Sequence, residues 1–90
     1  MAQSPYTTEF APAAVWDLAA LPQDVRRRIA RKIDALTLDP RPPGVEKLKG
    51  FADQYRVRVG DFRIIYTIRD LQLIVLILRI GNRKDVYRGR

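Results

Sequence analysis

The sequence contains neither cysteine nor histidine among its 90 residues. Without cysteine there is no disulfide framework, no thiolate zinc site and no thiol nucleophile, which fits a reducing cytoplasm. Without histidine the usual acid–base group near neutral pH is missing, so any catalysis must use Tyr, Lys, Arg, Asp or Glu. We therefore expect a cytoplasmic protein with no metal site and no cofactor.

Long apolar segments are also missing, since the longest run, Leu73–Leu78, has six residues. A membrane-spanning helix needs about 20, and Met1–Pro5 lacks the basic and apolar stretches of a signal peptide. A length of 90 residues predicts one domain covering residues 1–90. We expect a soluble protein that has no membrane partner.

The net charge of +7 is concentrated in the C-terminal part of the chain. Residues 1–54 contain eight Lys and Arg against seven Asp and Glu, whereas residues 55–90 contain nine against three. This asymmetry predicts an anion-binding face built by residues 55–90.

Hydrophobic periodicity predicts a short first strand, Tyr6–Phe10, and then two helices. Pro12 suits the first turn of one helix, and Pro22 opens the next. The second helix has an apolar stripe at helical spacing, made of Val25, Ile29, Ile33 and Leu36. We expect the basic run Arg26–Lys32 to be its solvated side. The helix should end before Asp39-Pro40, because a residue that precedes proline avoids the α region.

From residue 55 the apolar period changes to two, which is typical of strands. Gly60-Asp61 predicts a two-residue hairpin turn that leads into a strand over Phe62–Ile68. The apolar segment Gln72–Ile80 predicts a central strand that is buried on both faces. The fold class is therefore α+β. We expect a twisted antiparallel sheet, made of the N-terminal edge strand and a three-stranded C-terminal meander, with the helical hairpin packed on one face.

The hairpin register brings three arginines together. With Gly60-Asp61 as the loop, Arg58 lies opposite Arg63, and Arg56 shares their face because strand side chains alternate with a period of two. Like charges directly opposite each other destabilise a hairpin, whereas a bound phosphate would accept bidentate hydrogen bonds from the guanidinium groups. The pattern indicates a phosphate site; the solvated face of a half-buried strand is the alternative.

Because the Gln72–Ile80 strand should run antiparallel to the Phe62–Ile68 strand, the residues after Gly81 should lie next to Arg58 and Arg63 at the turn end of the hairpin. That segment carries Arg83, Lys84 and Tyr87. We predict a concave basic patch with one phenol, although each of these residues alone also suits a charged turn or simple packing.

Two of these segments resemble the RelE branch of the RelE/ParE toxin superfamily. The resemblance rests on Tyr55–Tyr66 and Gly81–Tyr87, is supported by Leu48–Gly50 and Asp39-Pro40, and covers nearly the whole chain. It implies a toxin of a type II toxin–antitoxin system that is a ribosome-dependent endoribonuclease. Such toxins cleave mRNA in the ribosomal A site. From the arginine cluster and Tyr87 we expect cleavage by attack of the 2′-OH on the adjacent phosphate. A RelB-like antitoxin, the ribosome and mRNA are the implied partners.

The resemblance also implies residue roles. The catalytic positions are Arg56, Arg58, Arg63, Arg83 and Tyr87. The basic residues that we expect to bind RNA are Lys47, Lys49, Lys84 and Arg88. The best-known RelE pattern has lysines at positions 56 and 58, one of them assigned as general base. Because arginine is a poor proton acceptor, the identity of the base stays open.

Two other functions are compatible with parts of this pattern. A ParE-like toxin that inhibits DNA gyrase without cleaving RNA could use the same fold, although the joint presence of Arg63, Arg83 and Tyr87 favours a RelE toxin. A plain nucleic-acid-binding module is less well matched, because the sequence lacks paired strand aromatics and a helix-turn-helix reading helix.

Overall fold

The computed structural model describes residues 5–48, 50 and 53–82. Its elements are β1 (Thr7–Phe10), α1 (Pro12–Ala19), α2 (Gln23–Leu38), β2 (Glu46–Lys47), β3 (Gln54–Val59), β4 (Phe62–Arg69) and β5 (Ile74–Asn82). The strands form one sheet in the order β1-β5-β4-β3-β2. The predicted α+β fold is confirmed, and the short strand β2 is an addition to it. Within the described ranges, no helix has the length and hydropathy needed to cross a membrane.

The two helices pack on the sheet through the apolar side chains that the periodicity singled out. Ile29, Ile33 and Leu36 of α2 are buried, and they belong to one core cluster with Ala14 of α1 and Tyr66 of β4. Helix α2 ends at Leu38, immediately before Asp39-Pro40. Both the stripe and the end of this helix therefore follow the prediction.

Strand β1 lies at the edge of the sheet as predicted, but it runs parallel to β5. Thr7 is opposite Ile74, and Phe10 is opposite Ile77. The expectation of a wholly antiparallel sheet is therefore wrong at this edge, and the sheet is mixed. Parallel neighbours need a long crossover connection, and residues 11–73, which hold both helices and the β3–β4 hairpin, provide it.

Strand β5 lies between β1 and β4, so its predicted central position is confirmed. It begins at Ile74 rather than at Gln72, because residues 71–73 form the turn and Leu73 has a positive φ of 56°. Burial on both faces is only partly correct, since Val75 and Ile77 are buried whereas Leu76 is half-buried. The face of β5 that carries Leu76 is therefore only partly covered and stays partly exposed to solvent.

A β-bulge interrupts the pairing of β4 with β5. Ile65 is opposite Arg79 and Tyr66 is opposite Ile77, so β5 has one extra residue at this point. An extra residue changes the face on which the following side chains lie. Ile77 and Ile80 consequently both belong to the core, although they are three residues apart.

Candidate functional site

The predicted arginine cluster lies where β3, β4 and β5 meet, beside the Gly60 turn. Val59 pairs with Phe62 and Arg58 pairs with Arg63, so the predicted hairpin register is confirmed. The turn requires a positive φ at its first residue, and Gly60 has φ 59°.

Two adjoining polar clefts open at this end of the sheet. One has a volume of about 310 Å³ and is lined by Arg58, Gly60, Asp61, Arg63 and Asn82. The other has a volume of about 230 Å³ and is lined by Gly44, Glu46, Arg56, Arg58 and Arg63. The larger volume reaches the lower end of the range for small-ligand sites, roughly 300 Å³. Because Arg58 and Arg63 line both clefts, the three arginines of the predicted cluster share one continuous surface.

Arg63 is the most enclosed member of the cluster, with 8% of its surface exposed. It lies on the inner strand β4, opposite Arg58 on one side and Gly81 on the other. A guanidinium group cannot lose its proton in a protein, so this position fixes a positive charge in the wall of both clefts. An anion that enters either cleft meets that charge.

The other two arginines differ in their partners. Arg58 is exposed and has no carboxylate within ion-pair distance among the residues that the structure describes. Arg56 forms an ion pair with Glu46, which lies opposite it on β2. The pairing leaves one carboxylate next to three guanidinium groups.

Glu46 was missed by the sequence analysis. Its strand has only two residues, which is too short for an apolar period to be detected. A carboxylate beside arginines is the type of group that accepts a proton, which the arginines cannot do. The sequence could have indicated Glu46 only indirectly, because its position opposite Arg56 depends on the pairing of β2 with β3.

The predicted RNA-binding residues are only partly described. Lys47 is exposed and shares a surface depression with Glu46 and Arg56, although its strand partner is Tyr55. The other predicted residues, Lys49, Arg83, Lys84, Tyr87 and Arg88, lie outside the described residues. The predicted return of β5 to the arginine cluster is confirmed as far as Asn82, which pairs with Phe62 and lines the larger cleft.

The opposite end of β4 contains a different kind of polar cluster, which we call the Asp70 network: Tyr6, Arg41, Tyr55 and Asp70. Arg41 Nη2 lies 2.9 Å from Asp70 Oδ2, and the Tyr6 hydroxyl donates to Asp70 Oδ1 at 2.7 Å. Arg41 Nε also donates to the Tyr55 hydroxyl at 3.3 Å. The hydrogen bond from Arg41, followed by that from Tyr6, lowers the pKa of Asp70 below its ordinary value.

A second arginine outside the clefts is also held by a carboxylate. Arg79 Nε donates to Asp17 Oδ2 at 2.8 Å, and the same oxygen accepts a hydrogen bond from the Ile80 backbone N–H at 2.9 Å. Asp17 thus covers part of β5 beyond the end of β1. Among residues 5–48, 50 and 53–82 there is no group of three or more carboxylates that could hold a metal ion.

The fold and the arginine clefts define a small basic α+β domain with three arginines gathered at one end of its sheet. The chain belongs to the RelE/ParE toxin family of type II toxin–antitoxin systems, because the family model described as "ParE toxin of type II toxin-antitoxin system, parDE" matches residues 8–87. The resemblance found in the sequence is therefore confirmed.

Named relatives point to the RelE branch of this family. The chain is 32% identical to Toxin RelG of Mycobacterium tuberculosis over 85 aligned residues. The alignment covers 93% of this chain and 98% of that protein. A crystal structure of the archaeal RelE–RelB complex from Pyrococcus horikoshii OT3 matches 88% of this chain and 96% of that chain, with a TM-score of 0.76 and 32% identity. The RelBE2 toxin–antitoxin complex of M. tuberculosis matches 88% and 99%, with a TM-score of 0.78 and 30% identity.

Proposed function

We propose that this protein is a ribosome-dependent endoribonuclease that cleaves mRNA in the A site and so inhibits translation. The observation that carries the proposal is the convergence of three guanidinium groups on two adjoining clefts. Arg63 is held on an inner strand, Arg58 lies opposite it, and Arg56 is on the same face. Guanidinium groups bind phosphate in a bidentate manner, so the scissile phosphate is the group that this surface suits.

In the proposed reaction the ribose 2′-OH attacks the adjacent phosphorus, and the bond to the 5′-oxygen of the next nucleotide breaks. Arg56, Arg58 and Arg63 stabilise the negative charge that develops on the phosphate oxygens; one such donor is worth about 10²–10³ in rate. By resemblance to the family, Arg83 acts at the leaving oxygen, and Tyr87 orients a nucleotide or assists proton transfer. Lys47, Lys49, Lys84 and Arg88 bind the RNA backbone.

The attacking hydroxyl must transfer its proton to a base, and we assign this role to Glu46. Its carboxylate lines the same cleft as all three arginines. Its ion pair with Arg56 holds it on the face where the phosphate would bind. A carboxylate is a weak base at neutral pH, so we expect slow cleavage of free RNA and faster cleavage when the ribosome orients the strand.

We also propose a RelB-like antitoxin as partner and a cytoplasmic location. Related toxins from P. horikoshii and M. tuberculosis have been crystallised in complexes with their antitoxins. An acidic, apolar-rich segment would match the basic clefts and the exposed Trp16 side chain of α1, which is 77% exposed. Binding through the clefts should weaken as salt increases, whereas a salt-insensitive complex would place the main contact elsewhere.

Primer extension on translated mRNA tests the nuclease activity. The wild-type protein should create new 5′ ends within translated codons, and Arg63→Ala should reduce them by about 10²–10³. Arg83→Ala should also reduce them. The matched control is Arg69→Ala, which removes an exposed arginine from the other end of β4 and should leave cleavage unchanged. Undiminished cleavage by both Arg63→Ala and Arg83→Ala would overturn the assignment.

A ParE-like toxin that inhibits DNA gyrase is the second candidate, and the description of the matching family model favours it. A gyrase supercoiling assay distinguishes the two functions. Inhibition of supercoiling without mRNA cleavage would support the gyrase function and exclude the nuclease.

A further inference from the structure

Helix α2 and the Gly60 turn approach each other closely through an arginine. A Cβ atom built on Gly60 would lie 2.5 Å from Nη2 of Arg28, a distance too short for any real contact between these atoms. Gly60 supplies the positive φ of the turn, and the end of the Arg28 side chain lies directly against this part of the hairpin.

Behind this contact lies an open groove between α2 and the β3 end of the hairpin, which we call the α2 groove. It is lined by Arg28, Arg31, Lys32, Ala35, Arg58 and Val59. Four of these six side chains are positively charged. Part of the basic run that the sequence analysis assigned to the solvated side of a helix is therefore gathered into a shared surface with the hairpin.

This arrangement has no evident benefit for folding. Arg28 and Lys32 are four residues apart on one helix, where like charges destabilise the helix, and Arg58 adds a further positive charge from β3. A polyanion would relieve this repulsion and release the counterions that the groove attracts.

Arg58 connects the α2 groove to the candidate site, because it lines the groove and both arginine clefts. A chain of phosphates bound at Arg63 can therefore continue past Arg58 onto α2 without leaving positively charged surface. A lone phosphate would occupy only one of these places, so the continuity favours a strand of several nucleotides.

We propose that the α2 groove binds the phosphate backbone of the RNA nucleotides that flank the cleaved phosphate in the same strand. The inference rests on the proposed nuclease function and adds a substrate-binding track to it. Because the track recognises phosphates, it should increase affinity for long RNA and leave the affinity for very short RNA unchanged.

The test measures binding of 2′-O-methyl RNA, which cannot be cleaved, by fluorescence anisotropy with the full chain. Two labelled lengths, about 4 and about 12 nucleotides, are compared. The track variant combines Arg28→Gln, Arg31→Gln and Lys32→Gln. The control combines Arg26→Gln, Arg27→Gln and Arg69→Gln, which removes the same charge from residues that do not line the groove. Thermal unfolding of each variant checks that the fold is retained.

The wild type should bind the longer RNA more tightly than the shorter one. The track variant should lose roughly tenfold or more in affinity for the longer RNA at 0.1 M salt, and its salt dependence should fall by about 2 in log–log slope, because each single-strand phosphate contact contributes about 0.7. The control variant should still bind the longer RNA more tightly than the shorter one.

If both variants lose affinity equally while the wild type still cleaves mRNA, the proposed RNA-binding track is wrong and the nuclease proposal stands. If the wild type neither binds RNA nor cleaves mRNA, the nuclease proposal itself fails.

Discussion

The arginines at the two ends of β4 are used in different ways. At the Asp70 end, Arg41 is bound to the carboxylate of Asp70 and to the Tyr55 hydroxyl. At the Gly60 end, Arg58 has no carboxylate within ion-pair distance in the part of the chain that the structure describes, and Arg63 is enclosed by strands on both sides. At the Asp70 end a carboxylate neutralises the arginine and ties segments of the fold together, whereas at the Gly60 end Arg58 and Arg63 line both clefts.

The largest effect should come from Glu46, the carboxylate that lines a cleft together with all three arginines. If Glu46 is the general base, Glu46→Gln removes the proton acceptor and should reduce ribosome-dependent cleavage by about 10²–10⁴. The amide keeps the shape of the side chain and can still contact Arg56. Primer extension on translated mRNA measures the change. The matched control is Glu9→Gln on β1, at the far edge of the sheet, and equal cleavage by both variants would exclude Glu46 as the base.

A comparison of Arg58→Ala with Arg41→Ala tests the division between the two ends directly. Arg58→Ala should reduce cleavage by about 10²–10³ without lowering the unfolding temperature, because it removes a like charge opposite Arg63. Arg41→Ala should lower the unfolding temperature and leave cleavage intact, because it breaks the Asp70 network. The reverse pattern in cleavage assays and thermal denaturation would show that the roles of the two ends have been exchanged.

Next in size is the loss of a buried hydrogen bond at the Asp70 end. The Tyr66 hydroxyl donates to the Pro40 carbonyl oxygen at 2.7 Å, and Tyr66 is fully buried. Tyr66→Phe leaves that carbonyl without its partner and should lower the free energy of unfolding by about 1–3 kcal/mol. Tyr55→Phe removes only an exposed hydroxyl and should cost less. Urea denaturation measures both, and an equal loss would mean that burial does not set the cost.

Much of the candidate site could be predicted from the sequence because local chemistry determines it. Gly60-Asp61 fixes the turn, the turn fixes the register, and a period of two then places Arg58 opposite Arg63. The stripe of α2 is similarly local, since residues three and four apart lie on one helix face. These features required no knowledge of distant partners.

The features that the sequence did not reveal depend on contacts between distant segments. The parallel pairing of β1 with β5 depends on how the whole chain returns, and the ion pair of Glu46 with Arg56 depends on a two-residue strand. The position of Arg28 against Gly60 is a third case, because helix periodicity identifies the polar side of α2 but not the surface that it meets. Charge patterns on single elements therefore underestimated the extent of the basic surface.

The smallest effect should be the pH dependence of the Asp70 network. Hydrogen bonds from Arg41 and Tyr6 lower the pKa of Asp70 in the folded state, so the folded protein favours the ionised carboxylate more than the unfolded chain does. The resulting stability is present above the ordinary pKa of 3.8 and is lost as the pH falls through the lower folded-state pKa. The wild type should therefore unfold at a higher temperature than Asp70→Asn at pH 7, and the difference should begin to shrink below about pH 4 and vanish below the folded-state pKa. Asp61→Asn, which removes one negative charge from the Gly60 end, is the control for the change in net charge.

Because Asp70 is exposed, the difference in unfolding temperature should be small, and solvent and salt should reduce it further. A difference that persists unchanged to low pH would mean that Asp70 acts through the shape of its side chain rather than through its charge.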